Sequence, residues 1–270
     1  MRLYASRAEP VKLRAAALGL AFLSSATIAA SVPALADATT AQQILKGMSD
    51  FLKNQSSLAV KYDADVEVVT PSMEKIQFSA SGQATLARPD KFRVTRTGGY
   101  ADVELVSDGG KLTIFDKNGN RFAQVPAAAS FDETVDKLRS EFSLEVPGAD
   151  LLLTKPYEAL TAGVLEAKRI GTGVIEGIEC EHLAFRNLDT DWQIWVQMGD
   201  HPVPRKYVIT SKAVGGAPQY TLRLRDWSFG AVQAPEAYAF TPPPGSRGIA
   251  VTELTDIDEI PSGRVPGGLQ

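Results

Sequence analysis

The sequence predicts an α+β fold in which one large curved antiparallel sheet wraps around a few helices. Three observations predict it. Two long segments, Leu58–Val68 and Lys75–Leu86, alternate strictly between apolar and polar residues, the period of strands with one dry and one wet face. Most later segments are also strand-like and lie close together, which makes neighbours antiparallel. An apolar sheet face must be covered, and about three helical segments are available to cover it.

The chain opens with a leader. Arg2, Arg7, Lys12 and Arg14 form a positive region, Ala15 to Ile28 is apolar, and Ala34-Leu35-Ala36 is a small-residue cleavage site before Asp37. The apolar run falls short of the roughly 20 residues a spanning helix needs, so a cleaved secretory signal over residues 1–36 is expected. Asp37 follows the cut in place of Cys, so no lipid attachment is expected there. Removing the leader's four basic residues and Glu9 leaves 24 Lys+Arg against 31 Asp+Glu, a formal charge near −7 that argues against nucleic-acid binding. The remainder, residues 37–260, fits one domain, and the Pro/Gly tail 261–270 is expected to be disordered.

Thr40-x-x-Gln43 reads as a capping box for a helix carrying Ile44, Leu45, Met48, Phe51 and Leu52. In the first strand Leu58, Val60, Tyr62, Ala64, Val66 and Val68 share the dry face. In the second the dry face is Ile76, Phe78, Ala80, Gly82, Ala84 and Leu86, small at its centre. The space this implies is filled by a helix or by a ligand, and the solid packing of interiors favours the helix. Strands follow at Lys91–Thr97, Asp102–Asp108, Lys111–Asp116 and Arg121–Val125, with turns at Arg88-Pro89-Asp90, Gly109-Gly110 and Asn118-Gly119. Ser130-x-x-Glu133 caps a helix bearing Phe131, Val135, Leu138 and Phe142, and a second helical segment is expected from Leu151 to Leu160 after Pro147-Gly148. Strands resume at Val164–Gly171, Cys180–Asn187, Trp192–Met198, Arg205–Ser211 and Tyr220–Phe229.

Few residues suggest chemistry. Cys180 is the only cysteine, so no intramolecular disulfide is available, and a small buried hydrophobe is its ordinary role. Cys180-x-His182 places a thiol and an imidazole on one strand face, but no third metal ligand or CxxC or HExxH pattern accompanies them. Asp189, Asp191 and Asp200 fall at strand ends and turns, where Asp bonds locally. Asp116–Asn120 starts like a calcium loop but has Gly at the fourth position and Ala127 at the twelfth, so it reads as a hairpin turn. No catalytic residue, metal or cofactor is expected.

Asp191-Trp192-Gln193-Ile194-Trp195-Val196, followed by His201-Pro202-Val203-Pro204-Arg205-Lys206-Tyr207-Val208-Ile209, resembles a recurring hairpin of the LolA-like (lipoprotein carrier-like) superfamily. Phe240-Thr241-Pro242-Pro243-Pro244-Gly245 resembles the end of the same fold, and the likeness is nearest to a bacterial family of predicted periplasmic proteins of unknown function. The resemblance implies a strongly curved sheet, an incomplete barrel, with helices on its concave face. In LolA, LppX and LprG that concavity accepts acyl chains, whereas RseB-like relatives regulate envelope stress. It therefore implies a periplasmic carrier of lipid or acylated lipoprotein, in transient contact with the membrane at most. The alternative it leaves open is an envelope sensor or interaction module that binds a protein partner and fills the cavity with its own helices. The cavity residues expected are Val66, Phe78, Gly82, Leu86, Phe92, Ile194 and Val196 on the sheet, and Val135, Leu138 and Phe142 on the mid-chain helix.

Overall fold

A helix, α1 (Val32–Lys53), precedes six strands: β1 (Ser57–Val69), β2 (Lys75–Ala87), β3 (Lys91–Gly98), β4 (Asp102–Asp108), β5 (Lys111–Asp116) and β6 (Arg121–Pro126). Helix α2 (Phe131–Phe142), a 3₁₀ turn at Ala149–Leu151 and the short α3 (Pro156–Thr161) interrupt the strands. Five more follow, β7 (Glu166–Ile175), β8 (Ile178–Arg186), β9 (Thr190–Gln197), β10 (Pro204–Ser211) and β11 (Gln219–Phe229), before the two-residue β12 (Arg247–Gly248). This computed structural model describes residues 32–142, 144, 146–231, 234–255, 257 and 260. Residues 1–31 of the leader and the tail from Pro261 lie outside the described residues.

All twelve strands form one sheet in the order β12-β6-β5-β4-β3-β2-β1-β11-β10-β9-β8-β7. Every pairing is antiparallel except β12 on β6. Two meanders, β1–β6 and β7–β11, are joined where the long β1 pairs with β11, and the sheet stays open with β12 and β7 as its edges. This is the open antiparallel sheet with helices on one face that the sequence predicts.

Two core clusters cover the two halves. Ala41, Leu45, Met48 and Leu52 recur at helical spacing on α1, are fully buried, and pack with Leu183, Ile194, Val196 and Tyr207 of the β7–β11 half. Phe131, Val135 and Leu138 of α2 pack with Leu86, Phe92, Leu112 and Ile114 of the other half. Phe92 meets Phe131 edge to face at 5.4 Å. The α2 cap forms as expected, with the Ser130 hydroxyl accepting from the Glu133 amide (3.2 Å) and the Glu133 carboxylate accepting from the Ala129 amide (3.2 Å).

Three local expectations are corrected. Helix α1 starts at Val32, so Thr40 is inside it and does not cap it, because Ala34, Ala36, Ala38 and Ala41 favour helix. The segment expected as one helix from Leu151 to Leu160 is broken, since Pro156 can start a helix but not continue one. Strand β7 runs past Gly171 to Ile175, taking a bulge between Arg169 and Gly171 (φ 141°) and turning at Glu176-Gly177, both at positive φ. The expected end at Gly171 is the bulge of a longer strand.

Candidate functional site

Strand register sorts the inward side chains at the sheet centre into cross-strand rows. Leu58, Leu86 and Phe92 form one row, and Val60, Ala84, Val94 and Leu105 the next. Tyr62, Gly82, Arg96 and Val103 form the third. The first row is buried, while Val94, Tyr62, Gly82 and Arg96 are partly exposed, so the face opens towards the third row. The middle row is apolar and, at Ala84, small.

A cavity of about 140 Å³ lies over these rows. Its floor includes Val60, Ala84, Phe92 and Val94, with Leu222 and Leu224 from β11, and its roof is Phe131, Val135 and Leu138 of α2 together with Val146 to Leu152. The lining is apolar apart from Tyr62, Tyr220 and Arg96. Its chemistry is that of a seam between two packed clusters, able to take apolar groups and offering one positive charge at Arg96 and phenol groups at Tyr62 and Tyr220.

The roof is stapled to itself and then to the sheet. Asp132 accepts from the Thr154 amide (3.0 Å) and hydroxyl (2.6 Å), and Arg139 pairs with Asp150 (3.0 Å). These bonds tie both ends of α2 to residues 150–154, so Pro147-Gly148 lies within a stapled unit. Gly148 (φ 83°) also sits hard against the sheet, where an added Cβ would come within 2.7 Å of Leu222 Cδ2. The Arg88 guanidinium donates to the carbonyls of Leu152 (2.8 Å) and Gln55 (3.2 Å), fastening the roof to the turn after α1. Burial lowers the Arg88 pKa, although nearby Asp132 opposes the shift.

Of the expected cavity residues, the structure brings Phe92, Val135 and Leu138 together around this space. The others lie elsewhere. Val66 and Phe78 belong to a separate small cluster with Val68 and Ile76 at the far end of β1–β2. Leu86 is solid core, and Phe142 packs at the margin of the α2 cluster. Ile194 and Val196 are buried in the cluster that includes the α1 face. Gly82 contributes no space: the Tyr62 ring lies over it, with its hydroxyl donating to the Thr95 carbonyl (2.9 Å). At Gly82 the room is thus taken by a neighbouring strand's side chain. Arg96 and Val94 escaped the sequence reading, and Ala84 was read as part of the small centre of β2 without being placed in the cavity set. The available signal was a basic residue continuing the apolar Phe92-x-Val94 face of β3.

Cys180 and His182 have separate surroundings. Cys180 is fully buried, its thiol bonds the Ile178 carbonyl (3.4 Å), and burial pushes its pKa up. His182 stacks on Trp195 at 4.0 Å and shares a 2.9 Å hydrogen bond with Gln193. Among the described residues no group of three His, Cys, Asp or Glu side chains is placed to hold a metal. Asp116 accepts from the Gly119 amide (2.9 Å) and pairs with Arg121, the geometry of a hairpin turn. No described helix is long and apolar enough to cross a membrane.

Solved structures with related chain paths include LprF from Mycobacterium bovis, at 14% identity and TM-score 0.45, covering 74% of this chain and 98% of that one. Lipoprotein LppX from Mycobacterium tuberculosis is similar at 13% identity and TM-score 0.42, with 72% and 98% covered. A LolA superfamily protein from Nitrosomonas europaea gives 12% identity and TM-score 0.35, with 74% and 97% covered. These are coarse likenesses and carry nothing about ligands. No curated protein matches the sequence. Residues 41–252 match the family described as predicted periplasmic protein (DUF2092), spanning the sheet, all but the start of α1 and the cavity, and the chain belongs to that family.

Proposed function

We propose that this chain is a periplasmic binding or carrier protein for a hydrophobic ligand, a lipid or the acyl chain of a lipoprotein, taken up beneath α2. The observation that carries the reading is the apolar cavity itself. Interiors are packed solid, and an apolar lining left without packing partners forfeits dispersion contacts. A ligand that fills the cavity recovers them and gains about 0.8 kcal/mol for each methylene buried. The cavity is close to the size of an engineered apolar void of about 150 Å³ that admits benzene, so the closed form suits the end of a chain. A longer chain requires the roof to rise. In this reading the leader delivers the chain to the periplasm and is cut after Ala36, and contact with the membrane is transient.

A second reading is favoured by α1, whose buried face fills the other half of the concavity with the protein's own helix. It is an envelope sensor or interaction module that binds a protein partner. Native mass spectrometry and lipid extraction of protein purified from its own envelope separate the two. The carrier reading expects a co-purifying lipid or acylated protein. Ligand-free protein that crosslinks to one defined partner overturns it in favour of the second.

A further inference from the structure

We propose that the cavity takes a single-chain anionic amphiphile, whose carboxylate or phosphate head is held by Arg96, and that the C-terminal segment at Ile257 occupies this place until displaced. The proposal rests on the reading of the cavity as a hydrophobic-ligand site and adds the chemistry of the head.

Arg96 is the one charged side chain among the described residues that line the cavity. It extends the inward face Phe92-x-Val94-x-Arg96, so the cation lies about 13 Å along β3 from the buried Phe92. The same row carries Tyr62, and Tyr220, which stands opposite Val66 further along the sheet, also lines the space. An amphiphile has this polarity: a chain for the buried end and a head for the open one. The planar guanidinium fork matches a carboxylate or phosphate, which accepts two parallel hydrogen bonds.

Ile257 meets the guanidinium in place of a head group. Its carbonyl accepts from Arg96 Nη2, and its buried side chain packs in the cluster of Phe131, Val135 and Leu138. The preceding chain is moored elsewhere: the Ile249 amide donates to the Phe122 carbonyl (2.9 Å), and Arg121 donates to the Thr255 carbonyl (3.4 Å). Ile257 can therefore lift away while β12 holds its place on β6. Head and strap compete for one guanidinium.

The test displaces the neutral dye N-phenyl-1-naphthylamine from delipidated full-length mature protein with laurate, lauroyl lysophosphatidate and neutral monolaurin. The wild type should bind one or both anions about tenfold more tightly than monolaurin, and the tighter anion identifies the head as carboxylate or phosphate. Arg96→Gln should remove that preference while changing monolaurin affinity less than about twofold, and Arg96→Lys should keep part of it. Ile257→Ala should raise anion affinity about threefold. Should Arg96→Gln fail to fold, wild-type anion affinity that falls with salt while monolaurin affinity holds supports the charge contact, and salt-independent affinity overturns it. Equal wild-type affinities for anion and neutral lipid, or a preference that survives Arg96→Gln, overturn the head assignment and leave the hydrophobic cavity standing. A fall in anion affinity on Ile257→Ala overturns the competing strap. Dye that fails to bind, or is displaced by none of the three, overturns the cavity reading itself.

Discussion

Replacing Ala84 by Ile tests whether the cavity is space kept for a ligand. Ala84 lies at the centre of the apolar row Val60–Ala84–Val94–Leu105, is 7% exposed and faces the cavity. Ile adds three carbons on a branched side chain that suits a strand. If they enter the void, burying them gains about 2.4 kcal/mol at about 0.8 kcal/mol each, less about 0.7 kcal/mol of rotamer freedom. The net is about 1.7 kcal/mol of added stability, an increase of about 3–7 °C in Tm for a chain of this size. The same substitution in a filled core costs about 1–3 kcal/mol through strain, so the sign decides. Urea and thermal unfolding of delipidated protein read the stability, and dye displacement reads the site. The expected pair is a higher Tm with at least about tenfold weaker laurate binding. A lower Tm with unchanged binding refutes the reasoning.

Three further outcomes follow from individual contacts. Gly82→Ala should cost about 2–3 kcal/mol in urea unfolding, because the new Cβ falls 2.6 Å from Tyr62 Cζ and meets the Thr95 carbonyl oxygen; a neutral result contradicts the packing of Tyr62 over Gly82. Asp132→Ala and Arg139→Ala each remove one staple of the roof and should lower stability by at most about 1 kcal/mol, yet speed stopped-flow release of a bound fatty acid severalfold, whereas unchanged release marks α2 as fixed core. The Cys180 thiol is buried and its pKa raised, so its thiolate is scarce in the folded state. Thiol labelling from pH 7 to 9 should be slow until denaturant is added, and rapid native labelling refutes the buried assignment.

Strand periodicity was legible because alternation survives without knowledge of partners. β4 and β5 fall on the predicted residues, and β1 and β2 come within one residue at each end. The ends of β7 and the break before α3 were less legible, since Gly171 and Pro156 each permit more than one backbone solution. The cavity depends on a quantity that no single strand carries, the cross-strand row. Phe92, Val135 and Leu138 were within reach because each sits on the dry face of its own element and both elements cover one half of the sheet. Ile194 and Val196 are equally dry, but α1 covers their half, and periodicity does not say which helix packs on which strands. Gly82 was read as room beneath the sheet because composition alone hides the Tyr62 ring that crosses to Thr95. Arg96 drew no notice because a charge on an apolar face acquires meaning only when Tyr62 and Ile257 are placed beside it.

Photo-crosslinking with a fatty acid bearing a diazirine near its chain terminus, followed by peptide mapping, tests most directly whether the space beneath α2 holds an acyl chain. Saturable labelling at one site is predicted, with adducts confined to β3 around Phe92 and Val94 and to the roof around Phe131, Val135 and Leu138. Labelling should be competed by unlabelled fatty acid and strongly reduced by Ala84→Ile. Adducts spread over exposed positions such as Leu165, Ile170 and Leu188, or labelling that Ala84→Ile leaves unchanged, would contradict the account.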